Sequence, residues 1–70
     1  MKSNLIYELV YEKNYTHTHT ILFSTKKSAI EFFNDCSCDN ELSSRIWVNT
    51  LRLGADRIYH SIKSEMLYEK

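Results

Sequence analysis

The chain reads as a small α+β domain: an N-terminal antiparallel β-hairpin, one short helix, then an amphipathic helical C-terminal half. Three observations predict this. Leu5, Tyr7, Leu9 and Tyr11 recur every second residue, the period of a strand that buries one side, and a stretch rich in β-branched residues, Thr16 to Phe23, follows. The hydroxyl pair Ser24-Thr25 then stands before apolar residues spaced by three and four. A longer set at the same helical spacing runs from Trp47 to Met66.

The elements follow in order. Leu5 to Glu12 predicts a strand, with Leu5, Tyr7, Leu9 and Tyr11 on one face and Glu8 and Glu12 on the other beside Ile6 and Val10. Lys13-Asn14-Tyr15 is the turn. Thr16 to Phe23 is a second strand rich in β-branched residues, with His17, His19, Ile21 and Phe23 on one side. Ser24 or Thr25 caps a helix from Lys26 to Asp35, whose Ala29, Ile30 and Phe33 share a face that can lie on the hairpin. The polar stretch Asn34 to Asn40 ends it.

The C-terminal half admits two readings. As a helix, it gathers Trp47, Val48, Leu51, Ala55, Ile58, Tyr59, Ile62 and Met66 on one stripe, with Asn40 as N-cap. Gly54 in its middle costs about 1 kcal/mol relative to Ala and implies a bend. The alternative is a second hairpin, giving ββαββ, with Gly54-Ala55 as a two-residue turn that sets Leu51 opposite Ile58 and Trp47 opposite Ile62. Helix is preferred, because the strand reading puts apolar residues on both faces. Such a helix, from Glu41 to Glu69, would be about 40 Å long, more than a hairpin and a short helix can cover. Its uncovered part, Ile58, Ile62 and Met66, predicts a homodimer interface.

Seventy residues make a single domain spanning 1–70, near the lower limit for a self-sufficient core. With 43% apolar and 26% charged residues the chain can fold and is no disordered tail. Nine basic residues balance nine acidic ones, which disfavours nucleic acid as a partner, since phosphate binding draws on excess Lys and Arg. A nucleic-acid-associated regulator using Arg45, Arg52, Arg57 and Lys63 is the alternative reading. The two cysteines, Cys36 and Cys38, are too close to staple distant segments and point to a reducing compartment. No apolar run approaches the roughly 18 residues of a membrane span, and the N-terminus lacks an apolar signal core. A cytoplasmic location and no membrane partner are expected.

His17-Thr18-His19 and Cys36-Ser37-Cys38 offer four zinc-ligand side chains. Paired cysteines in structural zinc sites are usually two to four residues apart, so Cys-X-Cys is too tight a bite and no metal is expected. Cys36 or Cys38 with His17, His19 or His60 could make a nucleophile and base, but nothing in the sequence ties them together. Glycine-rich phosphate loops are absent from the sequence. Lys26-Lys27 reads as a solvated first helical turn. No enzyme activity and no cofactor are expected. Nine aromatic residues remain, five Tyr, three Phe and one Trp. Tyr7, Phe23, Phe33 and Trp47 are needed as core. Tyr11, Tyr15 and Tyr68 exceed what so small a core requires, and with Arg45, Arg52 and Arg57 they form the candidate partner-binding set.

In length, Asn/Lys/Tyr/Ile-rich composition, absence of proline and β-β-α start, the chain resembles the small early proteins of tailed bacteriophages. The stretch Phe23-Ser24-Thr25-Lys26-Lys27-Ser28-Ala29-Ile30-Glu31-Phe32-Phe33 is similar to the strand-to-helix join of such accessory proteins. The resemblance implies a host-takeover or anti-defence role in the host cytoplasm. Proteins of that kind inhibit a host enzyme, a CRISPR effector, a restriction system or a toxin by occupying a surface. Zero net charge departs from the acidic DNA mimics among them. The functional expectation is therefore a non-enzymatic protein-binding module, of the type that inhibits a host protein or defence system (anti-CRISPR, anti-restriction or antitoxin-like).

Overall fold

The computed structural model describes residues 4–36 and 42–70. Its first hairpin follows the alternation of the sequence. Strand β1, Leu5–Lys13, pairs antiparallel with β2, His17–Phe23, so that Tyr7, Leu9 and Tyr11 stand opposite Phe23, Ile21 and His19 on one face. Between them Asn14 and Tyr15 both adopt positive φ, 54° and 59°, and the Thr16 amide donates to the Lys13 carbonyl at 3.1 Å. Two consecutive left-handed residues match the right-handed twist of a hairpin, and asparagine accepts that conformation readily.

Helix α1, Lys26–Asp35, has the predicted bounds. Thr25 is its N-cap: the Oγ1 accepts from the Ser28 amide at 3.2 Å, and the backbone there is extended. At the other end the Cys36 amide donates to the Phe33 carbonyl at 3.3 Å. Ala29 is fully buried and Phe33 packs on the core, so the helix lies on the face carrying Tyr7, Leu9 and Tyr11.

The C-terminal half is not helical. It forms β3, Arg45–Leu53, and β4, Tyr59–Glu69, completing an antiparallel sheet of order β2-β1-β3-β4. The expectation of an amphipathic helical half is thereby corrected, and the residues fold as the second hairpin of a ββαββ chain. The reason lies in β1. Once paired with β2, it still presents a bare edge, and β3 fills it along eight residue pairs from Leu5↔Arg52 to Glu12↔Arg45. As a central strand β3 buries Ile46 and Val48 under the helix and sets Trp47 and Leu51 beside Val10 and Ile6 on the other face, so apolar residues on both faces do not argue against a strand here. Val48 stands beside Leu9 in the core, while Trp47 faces the other way, opposite Val10.

The second turn also differs from the sequence expectation. Leu53 pairs with Tyr59, leaving residues 54–58 as a longer loop instead of a two-residue Gly54-Ala55 turn. Gly54 donates to the Ile58 carbonyl at 2.9 Å, and Arg57, with φ 66°, donates to the Gly54 carbonyl at 3.0 Å. Asp56 Oδ1 accepts from the Ile58 amide at 3.1 Å. A Cβ on Gly54 would lie 2.7 Å from Asp56 Oδ1 and 3.0 Å from His60 Cδ2, so a larger residue would have to displace these exposed side chains. Two register shifts follow, at Ile62 and Leu67, so Leu51 faces Ser61 and Trp47 faces Met66.

Leu9, Tyr11, Ala29, Ile46 and Val48 form the buried cluster under the helix, with Tyr7, Ile21, Phe23, Phe33, Leu67 and Tyr68 packed around it. Among the described residues no helix covers the opposite face of the sheet. No helix is long and apolar enough to cross a membrane among those residues.

Candidate functional site

Register fixes what the uncovered face presents. Glu8, Val10 and Glu12 of β1 stand beside Asn49, Trp47 and Arg45 of β3, which in turn stand beside Ser64, Met66 and Glu69 of β4. Two polar rows cross this face. In one, the Asn49 amide donates to Glu8 Oε1 at 3.0 Å and the Ser64 hydroxyl donates to Asn49 Oδ1 at 2.6 Å. In the other, Arg45 Nε donates to Glu12 Oε1 at 2.7 Å.

The Arg45 row is the chemically distinctive one. Glu12 is only 7% exposed, so its carboxylate depends on the guanidinium for compensation. The Glu12 hydrogen bond, backed by the Glu12 charge, raises the Arg45 pKa above its ordinary value, and the group stays charged at any accessible pH. The same guanidinium lies 5.8 Å from the ring centroids of both Tyr15 and Trp47, within cation–π range. Tyr15 reaches it from the left-handed turn of the first hairpin. Glu12, Arg45, Trp47, Ser64 and Met66 line a shallow depression of about 400 Å³.

A Tyr-Arg-Trp cluster held in fixed geometry beside an exposed Met is the composition of a binding hot spot. The arginine is pre-oriented by Glu12, so little side-chain entropy remains to be lost on contact. The His60 ring nitrogen pairs with Asp56 at 2.9 Å on the exposed second turn.

Of the six partner residues expected from sequence, the structure brings together Tyr15 and Arg45. Tyr11 is buried in the core and Tyr68 is half-buried against it, which corrects the view of both as surplus. Arg52 stands beside Leu5 and His60 on the helix side of the sheet, and Arg57 lies in the second turn. Of the set expected at a homodimer interface, Ile58 lies in that turn, Ile62 at a register shift and Met66 at the depression; all three are exposed. Trp47, taken as core, belongs to the open face. No periodicity marks it as such, because a tryptophan at a central strand reads equally well either way.

A second hollow, about 410 Å³, opens between β2 and the end of α1 and is lined by His17, His19, Ile21, Phe32 and Cys36 among others. Three of the four side chains weighed as zinc ligands thus line one hollow, while Cys38 lies outside the described residues, as does Asn40. Among the described residues no three His, Cys, Asp or Glu side chains are grouped as metal ligands.

No protein-family model, curated protein or solved structure matches this chain.

Proposed function

We propose that this chain is a non-enzymatic protein-binding module whose recognition surface is the open face of the sheet, centred on Tyr15, Arg45, Trp47 and Met66. The observation that carries the reading is the Arg45 guanidinium, fixed by Glu12 and flanked by two aromatic rings in a depression. A phage-type inhibitor that occupies a surface of a host protein or defence system fits this arrangement, and the resemblance in composition and length supports it. The alternative nucleic-acid regulator finds less support: Arg45 is on the open face, whereas Arg52 and Lys63 are on the helix side.

The test compares immobilised wild-type chain with Met66→Lys in bacterial lysates, scoring co-eluting proteins by quantitative mass spectrometry. Met66 is half exposed, so the lysine is tolerated by the fold, and circular dichroism checks this. The proposal expects a partner enriched by wild type and reduced at least tenfold by the variant. Identical recovery by both would remove the open face from consideration.

A further inference from the structure

The two edges of the sheet are built differently. Strand β4 is guarded in the ways that keep edge strands from pairing: two register shifts, at Ile62 and Leu67, and charged Lys63, Glu65 and Glu69 along its length. Strand β2 has none of these. Its sequence, HTHTILF, carries no Lys, Arg, Asp or Glu, and its register with β1 is unbroken from Tyr7↔Phe23 to Lys13↔His17. Apolar shoulders flank it, Leu22 on the open side at 60% exposure and Phe32 on the helix side at 36%. The hollow lined by His19, Ile21 and Phe32 runs beside it, where an added strand would form a roof.

We propose that β2 pairs with β2 of a second copy, antiparallel, about a two-fold axis through Thr20. An edge strand that carries no Lys, Arg, Asp or Glu and that no described strand pairs on its outer side is a template for another strand. The occupant is a copy of this chain because β2 is self-complementary in the register that uses all seven of its residues. Thr20 meets Thr20 of the second copy, His19 meets Ile21, Thr18 meets Leu22 and His17 meets Phe23, with no charge set against a like charge. A chain of 70 residues, with only a handful fully buried among those described, also gains from covering Leu22 and Phe32.

An axis through Thr20 perpendicular to the sheet joins two four-stranded sheets into one of eight, with both helices on one side. Both Arg45–Trp47 clusters then face the other side together. The pairing stands independently of the proposed function; only this bivalent display rests on that reading.

The experiment is analytical ultracentrifugation of wild type, Thr20→Lys, Thr20→Glu and an equimolar mixture of the two variants. Thr20 is exposed, so either charge suits a folded monomer; Leu22→Lys serves if circular dichroism finds the Thr20 variants unfolded. Wild type is expected to be a dimer at about 100 μM, a concentration at which any Kd below ~10 μM gives mostly dimer. Each Thr20 variant alone should be monomeric, and the mixture should recover the dimer. A monomeric wild type, a dimer that survives Thr20→Lys (or Leu22→Lys in its place), or a mixture that stays monomeric would overturn the proposal. Loss of the dimer in Ile62→Lys with Thr20→Lys unaffected would place the interface on β4 instead.

Discussion

Tyr15 occupies a backbone conformation that costs an L-residue with a bulky side chain roughly 1–2 kcal/mol, and it is 64% exposed. A glycine following Asn14 would complete the Asn-Gly pair that hairpin turns of this kind strongly favour. Tyrosine at that position therefore gives up stability for a ring placed against Arg45. Tyr15→Gly should raise the unfolding free energy by about 1 kcal/mol, measured by urea denaturation, while weakening partner capture. Unchanged capture by this variant would mean that the ring is incidental. The sequence allowed Tyr15 and Arg45 to be named singly, as aromatic and basic residues with no role in a core. Their partner Trp47 was not legible, since its side of the strand depends on a register that only the β1–β3 pairing defines.

At the scale of elements, the first hairpin and α1 were readable because each is specified locally, by alternation, by turn residues and by the Thr25 cap. The second hairpin was legible only as the alternative to a helix. Its residues lie at helical spacings by coincidence, and its two register shifts break the alternation that would have marked β4. What closes it is the loop of residues 54–58, where Asp56 accepts from the Ile58 amide and pairs with His60. The Ile58 hydrogen bond, then the His60 one, lower the Asp56 pKa, so the carboxylate's contribution to stability is present above the ordinary carboxylate pKa. It is lost as pH falls through and below that value, about 3.9. Glu65 behaves in the same sense, its pKa lowered by the Lys26 hydrogen bond that ties β4 to the helix at 2.8 Å. Thermal unfolding of wild type from neutral pH to about pH 2 should show a steeper loss below pH ~4 than Asp56→Asn does. Parallel curves would remove Asp56 from the account of the turn.

The described residues form one sheet and one helix, only 15 Å in the shortest extent. Such a thin body rests on few buried side chains. A core of this size supplies on the order of 3–5 kcal/mol in total. Leu9 is 0% exposed and joins β1 to Ile21 on one side and Val48 on the other. Leu9→Ala removes about 2–5 kcal/mol and should leave the chain largely unfolded at 37 °C by circular dichroism. A cooperative, folded variant would mean that the sheet draws its stability from elsewhere, with the β2 edge the first place to look.

The same thinness leaves a full sheet face open, the face proposed for recognition, and it can be probed in cells. A photo-reactive phenylalanine analogue is placed at Met66, beside the Arg45–Trp47 depression, or at Glu31 on the exposed side of α1, and irradiated in bacterial cytoplasm. The open-face account predicts a discrete higher-mass adduct from position 66 and none from position 31. An adduct from position 31 with position 66 silent would place recognition on the helix and contradict it.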